Sequence, residues 1–173
     1  MISNFARGLC IAAFSIFGGG AVAQESTNRV AANTDWSVFV EEDPKECWGV
    51  SKPKESVNTR DGQVVAVRRG EVLLFVSYRP DNSGAGEVSF TGGYPFQADS
   101  TVALTIGGET YQLFTDGEWA WASPDDDPKI IDAMKRGADA VAVGVSGRGT
   151  RTEDTFSLLG FTAAVEDAAK RCE

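Results

Sequence analysis

Histidine is absent from the 173 residues. With it go the commonest general base, the commonest metal ligand and every Ser-His-Asp or Cys-His arrangement. Cysteine is scarce, at three residues, and no C-x-x-C supplies the paired thiols of a redox centre. No G-K-[ST] occurs, and Gly147-Arg148-Gly149 lacks the third glycine and following helix of a dinucleotide site. The apolar stretch Leu9 to Phe17 ends at Gly18-Gly19-Gly20, well short of the roughly 20 residues that span a bilayer. No cofactor, metal or integral membrane segment is expected from this inventory.

That stretch instead completes a three-part export signal. Arg7 gives a positive start and Ala21-Val22-Ala23 a small-x-small cleavage site, so residues 1–23 are expected to be removed before Gln24. Cys10 does not mark a lipoprotein, because Leu9 stands where a small residue is needed and the apolar run follows the cysteine. The chain carries 25 Asp and Glu against 16 Lys and Arg, and the leader holds one of the basic residues and no acid. A net charge near −10 is therefore expected after cleavage, which repels nucleic acid and anionic lipid and favours solubility. Cys47 and Cys172 remain, in an oxidising compartment with no other partner in the chain, and are expected to form one structural disulfide.

About 150 residues make one domain. Residues 24–33 are polar and aperiodic and read as a flexible arm; 34–173 read as the domain. Short strands are predicted at Trp36–Val40 and Cys47–Val50, with Lys52–Gly62 a polar loop and Val64, Val65 and Val67 a further strand. Val72–Val76 is apolar at every position and reads as a central strand covered on both faces. Alternation predicts strands around Val88 and Phe90, then Thr101–Ile106 and Thr110–Phe114 joined at Gly107-Gly108, with Asp116-Gly117 turning into Trp119 and Trp121. One helix is expected to be capped by Asp127, with Pro128 in its first turn; it carries Ile130, Ile131 and Met134 as its apolar stripe and stops at Gly137. Val141, Val143 and Val145 alternate with small residues, and Thr152–Phe156 follows the Ser146–Gly149 turn. A last helix from Phe161 carries Ala164, Val165 and Ala168 on one face and brings Cys172 round to it. Consecutive strands with short turns mean antiparallel pairing. The expected fold is mainly β, an antiparallel β-sandwich or jelly-roll-like domain with two peripheral α-helices.

Few residues offer chemistry. Ser51-Lys52-Pro53-Lys54 fits S-x-x-K, but neither S-D-N nor K-T-G accompanies it and Pro53 opposes the required helix. Asp125-Asp126-Asp127 lacks calcium-loop spacing and suits a helix start. Trp119 and Trp121, two apart on a strand, point to one side, and Tyr111 lies across the hairpin. Exposed, these three would stack on sugars or peptide side chains; buried, they are core.

Asp35-Trp36-Ser37-Val38, Cys47 and the segment Asp154-Thr155-Phe156-Ser157-Leu158-Leu159-Gly160-Phe161-Thr162-Ala163-Ala164 leading to Cys172 together resemble the invasion-associated locus B family. The resemblance spans nearly all of the chain after the leader and is most specific in the second segment. It implies an exported protein of Gram-negative bacteria, periplasmic, with envelope association or secretion as alternatives, a host-invasion role suggested by the family name alone and no catalytic residues to transfer. The expectation is a non-enzymatic protein that binds a protein or envelope component. The alternatives are a carboxylate-based hydrolase of envelope polysaccharide and a structural envelope protein.

Overall fold

The computed structural model describes residues 28–82 and 84–173. The leader, its cleavage site and residues 24–27 of the arm lie outside the described residues. Twelve strands form one antiparallel sheet: β1 (Arg29–Asn33), β2 (Trp36–Glu42), β3 (Lys45–Ser51), β4 (Glu55–Arg60), β5 (Gln63–Val64), β6 (Leu73–Tyr78), β7 (Glu87–Thr91), β8 (Thr101–Ile106), β9 (Glu109–Asp116), β10 (Trp119–Trp121), β11 (Asp139–Val145) and β12 (Arg151–Ser157). Their spatial order is β1-β2-β3-β6-β7-β10-β9-β8-β11-β12-β4-β5. The sheet folds over on itself: Phe90 of β7 meets Phe156 of β12 edge-to-face at 6.1 Å although four strands lie between them, and Lys52-Pro53-Lys54 carries the chain from β3 to β4 on the far side. The result is the expected mainly antiparallel, sandwich-like fold with two helices, α1 (Asp127–Arg136) and α2 (Phe161–Arg171).

The interior follows strand alternation. Trp36, Val38, Leu74, Val76, Val88, Phe90, Val102, Leu104, Leu113 and Phe156 are all buried inward, each large side chain contributing about 1.5–3 kcal/mol of transfer free energy. On β11 the inward face is Ala140, Ala142 and Gly144, while Val141, Val143 and Val145 are half-buried outside. The small residues leave room for Phe96 and Tyr94, whose rings a Cβ at Gly144 would meet. α2 lays Phe161, Ala164, Val165 and Ala168 against β2 and β3. Val165 and Ala164 pack beside Gly49 there, and Trp36 meets Phe161 edge-to-face at 4.8 Å. Cys172, just past the helix, is bonded to Cys47 with Cα atoms 5.7 Å apart, an ordinary disulfide separation.

Four sequence expectations are corrected. Arg29–Asn33 of the arm is a strand, because Thr34, at φ 52°, and Asp35 turn it back tightly onto β2. The expected loop Lys52–Gly62 contains β4, which pairs with β12; its inward residues are polar, so no apolar alternation marked it. β6 is buried on one face alone, through Leu74, Val76 and Tyr78, with Leu73 and Phe75 half-exposed on the other. At α1 the N-cap is Asp126, not Asp127. The Asp127 carboxylate, buried, accepts the Val88 backbone N–H at 2.8 Å and so ties the helix to β7.

Candidate functional site

The strand register assembles an aromatic row on the outer face. Phe75 lies opposite Ser89, Ser89 opposite Trp121, and Trp121 opposite Phe114, so three strands place their rings about the small Ser89. Trp119 is 39% exposed and Phe114 53%, values that set this face apart from the filled interior. Phe75 contacts Trp119 at 5.6 Å. Trp121 runs nearly parallel to both Trp119 and Phe114, at 25° and 28°. Ser89 points outward yet is only 6% exposed, because the rings overhang it. A groove of about 290 Å³ results, walled by Trp48, Phe75, Trp119 and Trp121 over Ser77 and Ser89. Its polar end holds Arg79, whose guanidinium donates to Glu46 at 2.6 Å and lies 3.5 Å from Glu87.

Trp119 and Trp121 therefore share one outer face, as their spacing predicts. Tyr111 does not join them. The turn at Gly117-Glu118 sets Phe114, not Tyr111, against Trp121, and Tyr111 has the inward parity of Leu113, packing on the core while its hydroxyl donates to Glu109 at 2.7 Å. Sequence reasoning missed Phe75 and Phe114. The signal for Phe75 was present in the apolar run of β6, but it was read as burial on both sides.

The remaining motifs resolve structurally. Ser51 donates to the Asp35 carbonyl at 2.7 Å and Lys54 to the Asp35 carboxylate at 2.6 Å, so the serine and lysine serve a β-turn anchor and not each other. Hydrogen bonding to Lys54 holds the Asp35 carboxyl below its ordinary range. Among the described residues no three acidic or cysteine side chains are placed to hold a metal, and no helix is long and apolar enough to cross a membrane.

Among the described residues the interior also contains an ion pair. Arg69 grips Asp154 through two bonds of 2.8 and 2.6 Å, with side chains 8% and 0% exposed. Ser56 and Asn58 of β4 supply further partners. The guanidinium lies 5.1 Å from the centre of the Tyr94 ring, and burial pushes the Tyr94 phenol above its ordinary value.

The fold and the outer face together define a disulfide-closed, β-sandwich-like domain with an aromatic outer groove. The family model for the invasion associated locus B (IalB) protein matches residues 36–169, and the chain belongs to that family. Among solved structures it is similar to the invasion associated protein B of Bartonella henselae, at 16% identity and a TM-score of 0.56, over 83% of this chain and 98% of that one; at that identity the likeness concerns the fold. No curated protein matches it.

Proposed function

We propose that this is an exported envelope protein that acts by binding, and that the aromatic groove over Ser89 holds an envelope glycan. The observation that carries this reading is the row Phe75–Trp121–Phe114 with Trp119 beside it. Large rigid rings stand half-exposed on a sheet whose opposite face already supplies a complete core. Near-parallel rings about 6 Å apart suit the apolar faces of successive sugars, and Arg79, Glu46 and Ser77 stand ready for hydroxyls. Glu46 and Glu87 are two carboxylates at an aromatic floor, the arrangement a glycosidase would use. Here both engage one guanidinium, which fits them to orient a ligand and not to pass a proton. An acidic surface and a disulfide suit the periplasm.

Pull-down on insoluble peptidoglycan tests the reading. The parent should be retained and the Trp119→Ala/Trp121→Ala variant lost, with circular dichroism and Tm in the absence of ligand unchanged; hot-spot aromatics typically contribute about 2 kcal/mol or more each. Retention unchanged in the variant refutes the groove. Glycan turnover abolished by Glu46→Gln or Glu87→Gln would replace binding with hydrolysis, and loss of a protein partner without loss of glycan would make the groove a protein interface.

A further inference from the structure

A second cleft, of about 590 Å³, shares no residue with the aromatic groove. It opens between the segment that follows β5 and the β11–β12 hairpin, and Arg60, Arg68 and Arg148 reach it from three places in the chain. Gathering three guanidiniums in a chain of net charge −9 runs against the background field. Arg60 donates to the Thr150 hydroxyl at 2.6 Å and has no carboxylate partner among the described residues. Arg68 and Arg148 make no hydrogen bond or ion pair among the described residues. All three are exposed, and Arg68 and Arg148 serve no buried group.

The cleft is built on a stiff base. Arg69 also lines it, but its charge is neutralised by Asp154, and Tyr94 bonds Thr152 through hydroxyls 2.5 Å apart. The hairpin is pinned by Gly147 N–H to the Pro95 carbonyl at 2.9 Å and by Thr150 N–H to the Ser146 hydroxyl at 3.1 Å. The opposite wall is pinned by Gly70 N–H to the Gly93 carbonyl at 2.8 Å. Glu118 is the one carboxylate on the lining. Three free cations against one anion leave a local excess of two positive charges.

We infer that this cleft is a binding site for a phosphomonoester. A dianion matches the charge excess, a phosphoryl group offers the oxygens that guanidinium forks engage in pairs, and the volume admits the sugar or short alkyl group attached to it. A carboxylate would neutralise half of the excess and a neutral sugar none. The same group can come from a soluble phosphosugar or from a lipid headgroup.

Titration calorimetry on the purified protein with its disulfide closed decides the matter, with glucose 1-phosphate, glucuronate and glucose as soluble probes and vesicles containing phosphatidic acid as the lipid probe. Glucose 1-phosphate should bind, more weakly as salt rises, with glucuronate at least tenfold weaker and glucose silent. Arg68→Ala and Arg148→Ala should each weaken it about tenfold or more, as expected for hydrogen bonds to a charged group, and Arg68→Lys by less. Tm without ligand should not move, since neither side chain has a partner to lose. Tighter binding to phosphatidic acid vesicles, lost in the same variants, supports the site and assigns the lipid source; tighter binding to glucose 1-phosphate supports it and assigns the soluble one. No binding to either probe at millimolar concentration, equal binding of glucuronate, or binding undiminished in the Arg68→Ala/Arg148→Ala double variant overturns the inference. The Trp119→Ala/Trp121→Ala protein should bind as the parent does, so failure here and failure of the glycan groove are read separately.

Discussion

Replacing both bridged cysteines, Cys47→Ala/Cys172→Ala, should lower stability by an amount set mostly by the unfolded chain. The bond links residues 125 apart, and the entropy of closing so long a loop is worth about 5 kcal/mol at 25 °C. For a domain of this size that is a fall in Tm of roughly 10–20 °C. The native state should change little, because α2 keeps Phe161, Ala164, Val165 and Ala168 against β2 and β3 without the bond. Urea unfolding followed by tryptophan fluorescence, in a background where Trp48, Trp119 and Trp121 are replaced by Phe, suits the test: Trp36 is buried against Phe161 and donates to the Ser157 carbonyl at 3.0 Å, so its emission then reports α2 docking. The variant should unfold in one transition at lower urea with a larger m-value, since an uncrosslinked chain exposes more surface on unfolding. A loss below about 1 kcal/mol, or an m-value no larger than the parent's, would refute the loop-entropy argument. An early separate transition in Trp36 emission would show instead that the bond holds α2 in place.

Three further substitutions probe single contacts. Arg69→Met leaves the fully buried Asp154 carboxylate without its counter-ion and should cost about 3–5 kcal/mol; urea midpoints should show Arg69→Met/Asp154→Leu closer to the parent than the single variant. Gly160, at φ 88°, begins α2 in a conformation that L side chains rarely adopt, and a Cβ there runs into the Asn33 carbonyl, so Gly160→Ala should lower stability by at least about 1–3 kcal/mol in the same assay. Burial raises the Asp127 carboxyl above its ordinary 3.8. A raised carboxyl contributes stability fully below its unfolded value and loses it as pH climbs through the folded one. Asp127→Asn keeps an acceptor for the Val88 N–H and cannot ionise, so its Tm relative to the parent should rise as pH climbs from about 3 through the region above 3.8. A difference flat with pH, or falling, would contradict the assignment.

Elements carried by short-range chemistry were readable from residue order. Gly107-Gly108 fixes its hairpin through positive φ at both residues, and the α1 boundaries follow from Pro128 and Gly137. β4 was not readable, because its partner β12 lies some 90 residues away and its inward Ser56 and Asn58 answer a buried ion pair in place of a hydrophobic core. The small inward face of β11 was hidden for a related reason: alternation of Val with Ala and Gly says that two faces differ, not which one meets a ring. Of the candidate site, the shared side of Trp119 and Trp121 was legible from their spacing. Phe75 and Phe114 reach those rings through register across β6, β7, β10 and β9, which no local window contains. Arg60 and Arg148 likewise meet through the long-range β12–β4 register, and Arg68 joins them from the segment that follows β5.

The folded sheet is open, and its two margins are poor templates for further strands. β5 is two residues long with Val64 pointing into solvent, and β1 pairs irregularly between Arg29 and Ala31. Short or kinked edges discourage another chain from extending the ladder. In a crowded compartment such a molecule resists strand exchange with its neighbours, and recognition passes to its faces, where specificity is written in side chains and can change by point mutation without disturbing the hydrogen-bonded frame.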